Sequence, residues 1–268
     1  LISVLDQAHV AQSIKHPLNA EIFSFLAADG KTKIYGNLHK PTNFDPKLKY
    51  PLLVDVYGGP HSKGLSNRFR PVNAYCEFGF CIAKFGNRGT VDRGKEFEDA
   101  TYLKLGAIDL QDQVDGVKHL SKRAYIDGDR VGIYGHSYGG YLSALAVLKF
   151  PEVFHVAVSG APVTTWKNYD TIYTERYMRT PLENPDGYRI GSCMQYAKNL
   201  KGKLLMVHGL IDDNVHPSNT WQLVEALHAA DRRFDMQIYP KFKHGIGSTY
   251  MKIRWEYLCR HLQLAPGS

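Results

Sequence analysis

The chain has 268 residues, 44% hydrophobic and 12% aromatic, a composition that excludes an intrinsically disordered polymer. Its formal charge of +7 comes from lysines and arginines scattered along the chain, with no basic block beyond Lys122-Arg123 and Arg232-Arg233; a solvated surface is expected and nucleic-acid binding is not. No apolar run approaches the roughly 20 residues of a membrane-spanning helix, and no basic start leads into an apolar segment, so neither a membrane span nor a signal peptide is expected. Leu1 is not a methionine, and the chain reads as a processed or excised piece of something longer.

In chain order, Ala20 to Ala27 and Lys33 to His39 read as an antiparallel pair turning at Asp29-Gly30. A polar loop from Asn43 to Tyr50 leads into a buried strand, Pro51 to Tyr57, which ends in Gly58-Gly59-Pro60. Phe80 to Phe85 is a second buried strand, followed by the loop Gly86-Asn87-Arg88-Gly89-Thr90. Apolar residues at Ile108, Leu110, Val114, Val117 and Leu120 predict a helix over 107–121. Strands follow at Arg130 to Tyr134, His155 to Ser159, Lys203 to His208 and Phe234 to Tyr239, with helices at Asn219 to Ala230 and Thr249 to Leu264. Short β-rich runs joined by helices predict an α/β fold, a mostly parallel sheet covered on both faces, in one domain over 1–268. Cys76, Cys81, Cys193 and Cys259 lack metal-ligand spacing; free buried thiols are favoured over a single disulfide, and no metal site is expected.

Between the strand at Arg130 and an apolar stretch from Tyr141 to Phe150 lies Gly135-His136-Ser137-Tyr138-Gly139, with Gly140 behind it. Strand, sharp turn and helix in that order form a nucleophile elbow of the α/β-hydrolase fold. The glycines leave room for a turn that lifts the serine oxygen toward the N–H groups of the helix start. In that fold the acid and the histidine follow the nucleophile in the chain. His228 and His261 fall on predicted helices and His216 lies too close to the acids, which leaves His244, just past a strand. The acid is expected after the strand ending at His208-Gly209, where Asp212 and Asp213 stand side by side; the residues alone do not separate them, and either aspartate also suits a turn or helix cap. Besides the Tyr138 N–H, the oxyanion needs a second donor. Tyr57 is placed to offer its phenol, although a tyrosine closing a core strand reads equally well. Trp166, Tyr169 and Tyr173 stand at helical spacing, a pattern shared by a core face and a pocket wall.

Three segments, Tyr50 through Pro60, Gly135 through Tyr141, and His208 through His216, resemble the prolyl oligopeptidase family. The stretch Ala161-Pro162-Val163-Thr164-Thr165-Trp166, continuing to Tyr177, is similar to the dipeptidyl peptidase IV branch, and the resemblance runs from about Leu5 to the last helix. It implies Ser137 as nucleophile, Asp212 as acid, His244 as base, and Tyr57 with the Tyr138 backbone as oxyanion donors. It also implies a proline pocket of Tyr138, Val163, Trp166, Tyr169, Tyr173 and Val215, with Asn214 bonding a substrate carbonyl. The implied activity is removal of Xaa-Pro or Xaa-Ala dipeptides from peptide N-termini through an acyl-enzyme, without metal or organic cofactor. The alternatives are an acylaminoacyl or tripeptidyl peptidase, an esterase, or a fragment inactive without its partner domain. The family joins its hydrolase to an N-terminal β-propeller that holds the substrate amino terminus, and no propeller repeat occurs here. Relatives commonly dimerise through the last strand and helix, which the apolar residues of Ile253 to Leu264 permit. Bacterial relatives are commonly exported, which favours a periplasmic or secreted location. The position that pairs with a C-terminal cysteine in mammalian relatives is Val156 here, so that bridge is not expected.

Overall fold

A computed structural model describes residues 20–65 and 73–263. Eight strands form one sheet: β1 (Ala20–Leu26), β2 (Lys33–His39), β3 (Tyr50–Asp55), β4 (Cys81–Phe85), β5 (Ile126–His136), β6 (Val156–Gly160), β7 (Lys203–Gly209) and β8 (Asp235–Tyr239). Their order across the sheet is β1-β2-β4-β3-β5-β6-β7-β8. β1, β2 and β4 pair antiparallel, and every pairing from β4 through β8 is parallel. The β1–β2 turn forms where predicted: Gly30 takes φ 70°, and the Asp29 carboxylate accepts the N–H groups of Lys31 and Thr32.

The helices are α1 (Lys95–Asp99), α2 (Ile108–Leu120), α3 (Tyr138–Lys149), α4 (Thr171–Met178), α5 (Pro185–Ile190), α6 (Ser218–Ala229) and α7 (Gly247–Leu262). Alternate residues of the central strands feed two cores. Leu52 and Val54 of β3 pack with Leu110, Val114 and Val117 of α2, Leu142 and Leu145 of α3, and Leu223 and Leu227 of α6. Leu53 points the other way, toward Tyr250, Leu258 and Leu262 of α7. Covering both faces explains why β3 and β6 read as continuous apolar runs.

Three departures from the sequence reading have physical causes. β5 starts at Ile126, because the β3–β5 register slips between Pro51 and Leu52 to accommodate 128–130, which the apolar pattern passes over. α3 starts at Tyr138 directly after Ser137, three residues before the apolar stretch. Trp166, Tyr169 and Tyr173 do not share one helix: Trp166 lies in a short 3-10 turn, Tyr169 is extended, and Tyr173 belongs to α4, whose first turn is capped by the Asp170 carboxylate. The end predicted for the last helix, Leu264, lies outside the described residues. All four cysteines are free, with Cys259 partly buried and the others buried.

Candidate active site

The chemistry-bearing residues sit in the loops that follow β3, β5, β7 and β8, the C-terminal ends of parallel strands and therefore one edge of the sheet. Ser137 joins β5 to α3 with φ 60° and ψ −119°, a left-handed conformation that costs a non-glycine residue on the order of 1–3 kcal/mol. Its neighbours hold it there. The Ser137 N–H donates to the Gly160 carbonyl at 2.8 Å, and the Tyr141 N–H donates to the Ser137 carbonyl at 2.9 Å to open the helix. A Cβ at Gly135 or Gly139 would stand 2.3 or 2.2 Å from the Val56 carbonyl oxygen, and one at Gly140 would stand 2.2 Å from that of Gly160. The elbow glycines are thus required by backbone-to-backbone approach. From α7, the Tyr250 hydroxyl donates to the Gly135 carbonyl at 2.7 Å, bracing the strand end just before the serine.

Asp212 and Asp213 separate clearly. The Asp212 side chain is buried, and each oxygen accepts two donors: Oδ1 from the N–H groups of Asn214 and Val215, both at 2.9 Å, and Oδ2 from His244 Nδ1 at 2.8 Å and His208 Nε2 at 3.2 Å. Burial alone would raise its pKa, but the hydrogen bonds from His208, His244 and the Asn214 N–H prevail and hold the carboxyl well below the usual range. Asp213 is exposed and paired with Lys243 at 2.6 Å. His208 is fully buried, and its contacts fix its tautomer. Nε2 faces two acceptors, the Asp212 carboxylate and the Val215 carbonyl at 2.9 Å, so it carries the proton; Nδ1 accepts from the Thr220 hydroxyl at 2.7 Å.

His244, between β8 and α7, is partly exposed and lies with its ring centroid 4.7 Å from that of His136, the residue preceding Ser137. With Nδ1–H committed to Asp212, Nε2 is the nitrogen left to take a proton. The His136 ring is itself held neutral: burial pushes its pKa down to about 4. Tyr57 stands just beyond β3 with its backbone against the elbow, since a Cβ on Gly139 would lie 3.1 Å from the Tyr57 Cα. Burial raises the pKa of its phenol, which keeps it a donor. The Tyr138 N–H is one of the first N–H groups of α3, which have no acceptor within the helix.

The aromatic residues form one cluster beside this elbow. Ring centroids lie 6.2 Å apart for Tyr57 and Tyr138, 5.4 Å for Tyr138 and Trp166, 6.0 Å for Trp166 and Tyr173, and 5.3 Å for Tyr169 and Tyr173. Val163 and Val215 are buried beside them in the same core. The Tyr169 hydroxyl donates to Asn214 Oδ1 at 3.0 Å, tying this cluster to the acid loop and leaving the Asn214 amide group as a donor. Sequence reasoning did not single out His208, whose imidazole completes the Asp212 cradle, or Asp109, which binds Tyr138 from below at 2.6 Å. The only signal for either was a polar residue inside an otherwise apolar strand or helix pattern.

A mostly parallel sheet with a strained serine between strand and helix, and an Asp–His pair in the loops after two later strands, defines an α/β-hydrolase. The model of the prolyl oligopeptidase family matches residues 67–262, and the chain belongs to that family. It is 42% identical to human dipeptidyl peptidase 8 over 276 residues, covering 99% of this chain and 30% of that protein. It is 35% identical to bovine dipeptidyl peptidase 4, over 92% of this chain and 32% of the relative. Among solved structures, that of Porphyromonas gingivalis dipeptidyl peptidase 4 superposes with a TM-score of 0.86 at 35% identity, covering 92% of this chain and 36% of the other. The chain thus spans about a third of the length of these relatives and is similar to their serine-peptidase portion.

Proposed function

We propose that this chain, as a single catalytic domain, is a serine peptidase that cleaves after proline or alanine near the N-termini of peptides. The observation that carries the reading is the bond between His244 and the four-fold-satisfied carboxylate of Asp212, with the histidine ring against the elbow that holds Ser137. Ser137 Oγ attacks the scissile carbonyl while His244 Nε2 takes its proton, and Asp212 stabilises the imidazolium that results. Negative charge gathering on the carbonyl oxygen meets the Tyr138 N–H and the Tyr57 hydroxyl. His244 then protonates the leaving amine, and water activated by the same nitrogen hydrolyses the ester on Ser137. The ring of Tyr138 with Val163, Trp166, Tyr169, Tyr173 and Val215 forms an apolar box that suits a proline ring, and Asn214 donates to a substrate carbonyl. The reaction needs no metal or organic cofactor. The natural partners are the peptide substrate and a propeller domain of the parent protein that holds the substrate amino terminus; dimerisation through β8 and α7 and a periplasmic or secreted location belong to the same reading.

Incubation with a Gly-Pro chromogenic amide, its N-blocked form, and a Ser137→Ala control tests the proposal. Release of the chromophore that disappears in the control is expected. Equal cleavage of the blocked amide assigns the amino-terminal clamp to the portion that the longer relatives add. Cleavage of short acyl esters without cleavage of either amide would replace the peptidase reading with an esterase.

A further inference from the structure

Beneath the aromatic cluster lies a carboxylate that the reaction above does not use. Asp109 occupies the first turn of α2 and is fully buried. Its Oδ2 accepts the Tyr138 hydroxyl at 2.6 Å and the Gly106 N–H at 3.1 Å, while Oδ1 has no hydrogen-bond partner among the described residues. Taking an acid out of water without a salt bridge costs stability, and leaving one oxygen unsatisfied adds to the cost. An element that is costly to the fold and touches the site asks for a role in the site.

The role follows from what Asp109 holds. Tyr138 follows Ser137 directly, so it supplies a backbone N–H to the oxyanion and a ring to the pocket. That ring is confined on several sides: a Cβ on Gly59 would strike it at 2.6 Å, and Tyr141 and Trp166 lie with their centroids 5.5 and 5.4 Å away. The far end of the ring, the hydroxyl, is tied to Asp109. Tyr141 is tied to the same floor, donating its hydroxyl to the carbonyls of Leu105 and Gly191 at 3.1 and 2.8 Å. The segment 105–109 is thus a polar shelf that holds the hydroxyls of Tyr138 and of its neighbour Tyr141.

We infer that Asp109 is a positioning residue for substrate selection: its carboxylate fixes the Tyr138 ring and thereby the shape of the box that receives the residue before the scissile bond. The inference rests on the pocket reading proposed above. Its test compares two probes of Ser137, a small fluorophosphonate that needs the nucleophile but not the box, and a prolyl phosphonate that needs both. The ratio of their second-order labelling rates, prolyl over small, reads the box alone. Asp109→Ala should lower that ratio at least ten-fold while the small probe labels within about three-fold of the parent chain. Asp109→Asn should keep the ratio within about three-fold, since its amide oxygen can replace Oδ2 and its NH2 group can stand where Oδ1 has no partner. Tyr138→Phe, which keeps the ring and removes the hydroxyl, should likewise lower the prolyl-over-small ratio at least ten-fold and carries the test if Asp109→Ala does not fold. Ratios within two-fold of the parent in Asp109→Ala and Tyr138→Phe, even with lowered melting temperatures, would overturn the inference and leave a purely structural pair. A parent chain that shows no preference for the prolyl probe would remove the pocket reading and this inference with it.

Discussion

Asp212 and Asp213 are the same amino acid one position apart, and only their surroundings divide their work. Four donors converge on the buried Asp212, whereas Asp213 meets one lysine in solvent. Asp212→Asn should lower kcat by about 10³–10⁴-fold, because an amide does not hold the His244 tautomer. Asp213→Asn should stay within about three-fold, as expected of an exposed ion pair. Steady-state kinetics on the Gly-Pro amide checks both. Asp109 yields a pH prediction of opposite sign to an ordinary paired carboxylate. Burial raises its pKa from 3.8 to about 6, against the hydrogen bond from Tyr138. The groups facing it are Tyr138, Tyr141 and Lys149 of α3, Tyr173 of α4 and Asp112 of its own helix. Below about pH 4 both folded and unfolded chains hold the proton. Between the two pKa values only the folded chain does, so its stability falls as pH rises and levels off above about 6, by on the order of 3 kcal/mol. Asp109→Asn should therefore melt higher than the parent at pH 7.5 and level with it near pH 4, as calorimetry at the two pH values would show.

At the scale of elements, the elbow is the part of the molecule most fully written in the sequence. Gly135, Gly139 and Gly140 are spaced by the approach of β3 and β6 to the turn, and no other residue fits where a carbonyl oxygen lies about 2 Å from a would-be Cβ. Gly139→Ala should cost about 1–3 kcal/mol through overpacking and slow Ser137 labelling. Gly30→Ala, in open space with φ 70°, should cost about 1 kcal/mol from backbone conformation alone and leave labelling unchanged. Denaturant melts and probe kinetics on the two variants separate these effects. The strands and α2, α6 and α7 were legible for a related reason, since apolar residues recur along them at strand or helix period. The segment from Val163 to Tyr177 was not, because its shape depends on capping by Asp170 and on anchoring of Thr164 to Asn219, which no periodicity records. Burial of Asp109, Asp112 and Gln113 on α2 was hidden likewise, as a polar residue gives no sign of facing inward.

Over the whole molecule, the order of strands was beyond the sequence. β4 lies between β2 and β3, and that pairing joins residues more than 40 positions apart. Yet that arrangement positions the proposed site: it brings the ends of β3, β5, β7 and β8 to one edge, where residues from 57 to 244 gather. Proposing Asp212 over Asp213 needed the resemblance, for the same reason; the carboxylate that meets His244 is chosen by a contact 32 positions away along the chain. Mass spectrometry of the chain, quenched in acid during turnover of a Gly-Pro ester, reads the acyl-enzyme itself. A covalent Gly-Pro adduct is expected on the peptide containing Ser137 and absent from Ser137→Ala. Ester hydrolysis with no adduct on Ser137, or hydrolysis undiminished in Ser137→Ala, would contradict the proposed mechanism.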